Sequence, residues 1–315
     1  MIIDVYTPIN IQNESIDIRH IELTKRRKGQ PVVFLPGIGG FAESYKWNFE
    51  GFYKEKYWPL AVDHIGFGKS GKSKSIVYSF EIFSIAIAEW IKEKKLKNVI
   101  IVGNSFGGGV SMGIWDLIPD RISSIVLVSS VGFGRELYWN YRIASLPILN
   151  QLIVYLVINK HIPINNSKKS WKSIINNYKD LPEEFLKISD RFKNDHSIRR
   201  AYAYILRHMV TFAGQPKNSV YLIYKITQKI KKSKVPVLII WGKNDRIIPY
   251  KHGIVAKEMT NGTLELIDQC GHMPYIEYPE KFNNLIFDFL YDNGISKGIS
   301  KKVKTKKKKR KVKKN

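Results

Sequence analysis

Ser105, Asp245 and His272 stand in this order along the chain, and together these residue types perform nucleophilic acyl chemistry. Ser105 lies in Val99-Ile100-Ile101-Val102-Gly103-Asn104-Ser105-Phe106-Gly107-Gly108-Gly109, where a β-rich apolar run ends in Gly-x-Ser-x-Gly and an apolar, helix-like segment follows. That layout is a nucleophile elbow, a sharp strand-to-helix turn holding a hydroxyl above a sheet. A serine in a strained conformation needs neighbours without side chains, because a Cβ two positions to either side would clash across the turn. A serine nucleophile also needs a base, and the base an orienting carboxylate. Asp245 falls in Trp241-Gly242-Lys243-Asn244-Asp245 and His272 in Cys270-Gly271-His272-Met273-Pro274, each just after a strand-like run. His272 is expected to take the Ser105 proton and deliver it to the leaving group. Asp245 is expected to fix the imidazole tautomer and stabilise the imidazolium. The backbone N–H groups of Ile38 and Phe106 are the expected oxyanion donors, since main-chain dipoles at a turn and a helix start point there.

The elements that must position these residues alternate. Residues 2–7 and 16–24 read as two antiparallel strands, and Pro31–Leu35 as a buried strand entering the glycine-rich turn Pro36-Gly37-Ile38-Gly39-Gly40. Trp58–Val62 is the next strand. Residues 79–95 carry Phe83, Ile87, Trp90 and Ile91 on one helical face, with Ser79 as cap. The Val99–Val102 strand, a helix to Leu117 and the strand Ser124–Ser129 follow. This alternation predicts an α/β fold: a mostly parallel, eight-stranded sheet with helices on both faces. From 133 to 233 strand signals vanish and helices are expected, including 183–193 and 198–212. Strands resume at Val235–Trp241 and Thr263–Ile267, and a last helix spans 280–292.

At 315 residues the chain is long enough to bury a large core, either as one domain with an insertion or as two domains. The net charge of +25 divides unevenly: residues 297–315 hold 12 of the 52 Lys and Arg and no acid, leaving +13 for the rest. The tail is too poor in apolar residues to offset the cost of ordering, so 295–315 is expected to be disordered. Its partners by charge are an anionic membrane or nucleic acid, although no aromatics interleave with the lysines to stack on bases. The first residues lack a signal-peptide pattern, and Leu152–Ile158 is too short an apolar run to cross a bilayer. One cysteine, Cys270, excludes an internal disulfide and suits a reducing compartment. A cytoplasmic protein is expected, with a nuclear address or an anionic membrane surface as the tail's alternatives.

Five pieces together resemble the capped serine hydrolases of the α/β-hydrolase fold, the group of esterases, lipases and carbon–carbon bond hydrolases. They are Pro36-Gly37-Ile38-Gly39-Gly40, Asp63-x-x-Gly66-x-Gly68-x-Ser70, Gly103-Asn104-Ser105-Phe106-Gly107-Gly108, Trp241-Gly242-x-x-Asp245 and Gly271-His272-Met273-Pro274-x-x-Glu277-x-Pro279. The resemblance implies a core of 1–132 and 234–294, and a helical cap of 133–233 inserted after the sixth core strand. It implies an acyl-enzyme mechanism without cofactor or metal. Two departures stand out: the first turn begins Pro36-Gly37 where His-Gly is common, and Met273 stands where carbon–carbon bond hydrolases usually carry Trp.

The expected activity is cleavage of a carboxylic ester with an apolar acyl part. The alternatives are carbon–carbon bond hydrolysis of the meta-cleavage-product type, or ligand binding without catalysis. Asp63 to Ser70 reads as a structural turn rather than a phosphate loop, and Cys270 as a packed thiol. His20, His64, His161, His196, His208 and His252 lack metal-ligand spacing, and only His64 falls near the site by the resemblance. Arg200 and Arg207 share a helix face that either binds a substrate carboxylate or faces water. The apolar segment Leu146–Ile164 either lines the underside of the cap or touches a membrane.

Overall fold

The computed structural model describes residues 1–24, 29–73, 75–146, 168–193 and 195–295, without the side chains of 140, 141, 144, 193, 196, 199, 200, 203 and 207–209. The lysine-rich tail, most of 146–164 and the side chains of Arg199, Arg200 and Arg207 lie outside the described residues.

Eight strands form one sheet: β1 Ile2–Ile11, β2 Glu14–Leu23, β3 Gln30–Leu35, β4 Tyr57–Val62, β5 Val99–Asn104, β6 Ile122–Val128, β7 Val237–Gly242 and β8 Thr263–Ile267. Their order is β1-β2-β4-β3-β5-β6-β7-β8. β2 alone runs antiparallel, to β1 on one side and β4 on the other, and every pairing from β4 through β8 is parallel. Strands β5 and β7 are buried along their whole length, as continuous runs of Val and Ile require when helices cover both faces. On one face, α1 (Lys46–Lys54) packs with a C-terminal helix, Pro279–Asp292. On the other, α2 (Phe80–Glu93) packs on α3 (Phe106–Leu117). Ser79 caps α2 as its type predicts, accepting from the Ile82 N–H at 3.3 Å.

Between β6 and β7 run α4 (Trp139–Ala144), α5 (Glu183–Lys193), α6 (His196–Met209) and α7 (Lys217–Ser233). After β7 come α8 (Lys251–Thr260), the short α9 (Pro274–Glu277) and α10, the Pro279–Asp292 helix. Helix α5 matches the sequence expectation. Helix α6 stops before the expected 212, because Val210 turns extended and a narrow bridge pairs Thr211 with Gly214. The first strands are longer than expected. Gln12 and Asn13 take φ of 50° and 66°, which makes a two-residue turn and lets the hairpin pair from end to end.

One buried cation holds the N-terminal half together. Arg19 on β2 is 1% exposed and reaches Asp63 after β4 at 2.7 Å, Glu43 at 2.7 Å and Asp4 on β1 at 2.5 Å. Burial opposes its charge, but hydrogen bonding to Glu43 and the Asp63 and Glu43 charges outweigh burial and hold the guanidinium protonated. Asp63 also accepts from the backbone N–H groups of Ala42 at 2.7 Å and Lys69 at 2.9 Å. The Ser70 hydroxyl donates to the Asp63 carbonyl at 2.8 Å. The 63–70 segment is thus a braced turn. Arg19→Met is expected to cost about 3–5 kcal/mol, the scale for a buried ion pair stripped of one member. A fall in urea midpoint at constant slope measures it.

Candidate active site

Ser105 sits between β5 and α3 with φ 56° and ψ −116°, a conformation a serine holds only where its surroundings impose it. Its N–H donates to the Val128 carbonyl at 2.8 Å, and its carbonyl accepts from Val131 at 3.1 Å. The flanking glycines let the turn close. A Cβ on Gly107 would lie 2.5 Å from the Leu35 and Pro36 carbonyl oxygens, and one on Gly103 would overlap the Gly107 carbonyl. Phe106 opens α3, so its N–H has no acceptor within the helix. The first glycine turn lies alongside: a Cβ on Gly37 would be 3.2 Å from the Ser105 Cβ. Ile38 follows directly, so both expected oxyanion donors flank the serine.

Asp245 and His272 meet beyond the ends of β7 and β8. His272 Nδ1 lies 2.7 Å from Asp245 Oδ2, and both side chains are buried. The other carboxylate oxygen accepts from the Ile247 and Ile248 N–H groups at 2.8 and 3.0 Å. A carboxylate accepts only, so Nδ1 carries the hydrogen and the Nε2 lone pair is left to act as a base. Asn104 ties this pair to the serine turn. Its Nδ2 donates to the His272 carbonyl at 3.0 Å and to the Val128 carbonyl at 3.2 Å. The structure thus pairs Asp245 with His272, sets the Gly37–Ile38 turn beside Ser105 and Phe106, and links the two groups through Asn104.

Other residues complete the surroundings. Glu277 accepts from Gly271 N–H at 2.7 Å, from Asn176 at 2.9 Å and from Asn177 at 3.1 Å, tying the histidine loop to residues 174–177. The His272 N–H itself donates to the Ile174 carbonyl at 2.8 Å. Tyr202 of α6 reaches over the first turn, its ring 2.9 Å from where a Gly39 Cβ would stand. Phe41, beside that turn, packs on Phe185 and Phe192 of α5 at 5.6 and 5.2 Å between centroids. His64 lies beneath the turn, with Nε2 3.0 Å from the Pro36 carbonyl. Burial, opposed by that hydrogen bond, pulls its pKa down to about 4.

Glu277 and His64 stand in motifs of the sequence that name no partner for either, and the parts played by Asn104 and Tyr202 are visible only in the structure. An amide ending a run of buried Val and Ile was the one available signal for Asn104. Cys270 is buried, and burial, then the neighbouring Glu277, push its thiol well above the ordinary range. Among the described residues, no group of three or more His, Cys, Asp or Glu is placed to hold a metal. No described helix is long and apolar enough to cross a membrane.

The chain belongs to the alpha/beta hydrolase fold family, whose model matches residues 30–279. It is similar to the 2-hydroxy-6-oxo-6-(2'-aminophenyl)hexa-2,4-dienoic acid hydrolase of Metapseudomonas resinovorans, at 27% identity over 284 residues covering 87% of this chain and 88% of that one. Its fold is similar to that of the 2-hydroxy-6-oxo-6-phenylhexa-2,4-dienoate hydrolase of Rhodococcus sp. strain RHA1. The TM-score is 0.71 at 20% identity, covering 92% of this chain and 99% of that one. A putative lipase from Acinetobacter baumannii gives the same TM-score of 0.71 at 20% identity, covering 92% and 91%.

Two outcomes follow from this geometry. Glu277→Gln must set an amide N–H against a backbone donor on one side or the other, which is expected to cost about 1–3 kcal/mol. Denaturant titration measures it. For His64 the sign is worked out from a pKa lower when folded than when unfolded. The unfolded chain then binds the extra proton, so stability falls as pH drops from 6.5 toward 4. Across that window His64→Phe is expected to lose less stability than the parent in paired denaturant titrations.

Proposed function

We propose that Ser105, His272 and Asp245 transfer an acyl group to water, and that the bond broken is a carbon–carbon bond beside a ketone. The carrying observation is the Asp245–His272 pair, bonded at 2.7 Å, clasped through Asn104 to the strained Ser105 turn. In this reading His272 Nε2 takes the Ser105 proton and Oγ attacks the ketone carbon. The oxyanion is met by the Ile38 and Phe106 N–H groups. Collapse breaks the carbon–carbon bond, the electron pair passes into a conjugated 2-oxo acid, and His272 returns its proton to the leaving carbon. Water, deprotonated by His272, then releases the acyl group as a carboxylic acid and regenerates Ser105. The named activity of the 27%-identical relative supports this choice of bond.

Ester hydrolysis, the activity expected from the sequence, is the second reading. Met273 favours it, being a nearly buried thioether where the resemblance leads one to expect Trp in carbon–carbon bond hydrolases. The same nucleophile, base and donors serve both bonds. In either reading residues 133–233 act as a cap on a core of 1–132 and 234–294. The Tyr202 approach to Gly39 and the Ile174 contact with His272 support that division.

Ser105→Ala is expected to abolish fluorophosphonate labelling and to lower turnover by about 10⁶-fold, the scale for losing the nucleophile of such a site. Labelling at another residue, or turnover surviving in the variant, overturns the proposal. Stopped-flow comparison of 2-hydroxy-6-oxo-6-phenylhexa-2,4-dienoate with p-nitrophenyl esters separates the two bonds. Higher kcat/KM on the dienoate is expected, and higher kcat/KM on the esters assigns ester hydrolysis.

A further inference from the structure

We infer that His64 is a positioning residue for the oxyanion hole, holding its two halves in register through the Pro36 carbonyl and the Phe106 ring. The inference rests on the proposed acyl chemistry at Ser105.

The argument starts at Gly37. A glycine between two peptide planes leaves both free to rotate, and the Ile38 N–H rides on the second of them. Here each plane is pinned. The Gly37 carbonyl, in the same plane as the Ile38 N–H, accepts from the Gly40 N–H at 3.0 Å. The Pro36 carbonyl, in the plane before, accepts from His64 Nε2 at 3.0 Å. With both planes fixed, the direction of the Ile38 N–H is fixed as well.

His64 touches the other half of the hole too. Its ring meets Phe106 edge-on at 5.7 Å and Phe83 at 5.7 Å, and Phe83 meets Phe106 at 5.0 Å. Phe106 supplies the second N–H donor. A single imidazole therefore spans the Pro36 turn and the first residue of α3. It is 1% exposed, and its Nδ1 has no hydrogen-bond partner among the described residues. The Pro36 carbonyl accepts only, so the hydrogen sits on Nε2 and the ring makes one polar contact. A buried histidine with half its hydrogen-bonding capacity unused is costly as packing alone. That cost is accounted for by what the other half holds. His64 in turn follows Asp63, the carboxylate fixed by Arg19 and the Ala42 N–H, so its backbone starts from a braced point.

The test is the second-order rate of fluorophosphonate labelling at Ser105 in the full chain, which needs an oxyanion hole but no knowledge of the substrate. His64→Phe keeps a ring and removes the donor. His64→Gln returns an N–H of similar reach. Thermal unfolding and near-ultraviolet circular dichroism establish the folded fraction, and rates are referred to it. His64→Phe is expected to label about 100-fold more slowly, the scale of a misplacement of about 1 Å at a reacting centre. His64→Gln is expected to recover most of that rate. On the preferred substrate the loss is expected in kcat with KM unchanged. If the Phe variant does not fold, His64→Asn replaces it, since its amide is too short to reach Pro36. Labelling of the Phe or the Asn variant at the parent rate overturns the inference, and so does a Gln variant no faster than them. A parent chain that is not labelled at all overturns the acyl reading instead.

Discussion

The backbone of Gly107 runs so close to the Leu35 and Pro36 carbonyls that no side chain fits between them. That approach brings the first turn of α3 against the end of β3. Because β3 and β5 are neighbours in the parallel sheet, the same contact sets the Pro36–Gly40 turn beside Ser105. The strained serine, the helix N-terminus and the glycine turn are thus three results of one close packing. Parallel strands then supply the remainder. Successive carboxyl ends lie along one edge, so the loops after β7 and β8 deliver a carboxylate and an imidazole to the same place.

Polar groups hold this edge where apolar packing cannot specify direction. Asp63 receives Arg19, Ala42 and Lys69, and so joins the first hairpin to the turn that carries Ile38. Asn104 joins the serine turn to the carbonyl of His272, and Glu277 joins the histidine loop to residues 176 and 177. Each is buried or half-buried; the carboxylates of Asp63 and Glu277 are met by N–H donors, and Asn104 accepts from the Tyr275 hydroxyl while its amide N–H donates. Direction comes at a cost in desolvation, which complete hydrogen bonding offsets.

Ser105, Asp245 and His272 were legible because their chemistry is distinctive, their loops follow buried strands and their order is restrictive. The parallel sheet was legible from runs of Val and Ile longer than a half-exposed strand would carry. The first hairpin was read short, since Gln12-Asn13 lacks the glycine that usually marks a two-residue turn. The Arg19 cluster was invisible. Its charges come from positions 4, 19, 43 and 63, and nothing in local spacing says that they converge. The identity of the bond cleaved was equally hidden. In the proposed reading substrate choice falls to the helices between β6 and β7, and helical periodicity reports which face is apolar, not where it is placed.

The bond from Glu277 to Asn176 spans 101 residues, and that from Asn104 to His272 spans 168. Contacts so distant along the chain close large loops, and such closures come late in folding because entropy is lost before contact energy is gained. The Ser105 turn has nearer partners: Leu35 and Pro36 before it and Val128 and Val131 after it all precede the helices between β6 and β7. A growing chain therefore has the partners of the Ser105 turn in hand before the Asp245 and His272 loops exist to dock beside it. The contacts that set the Asp245–His272 pair against Ser105 are thus among those that close the fold last.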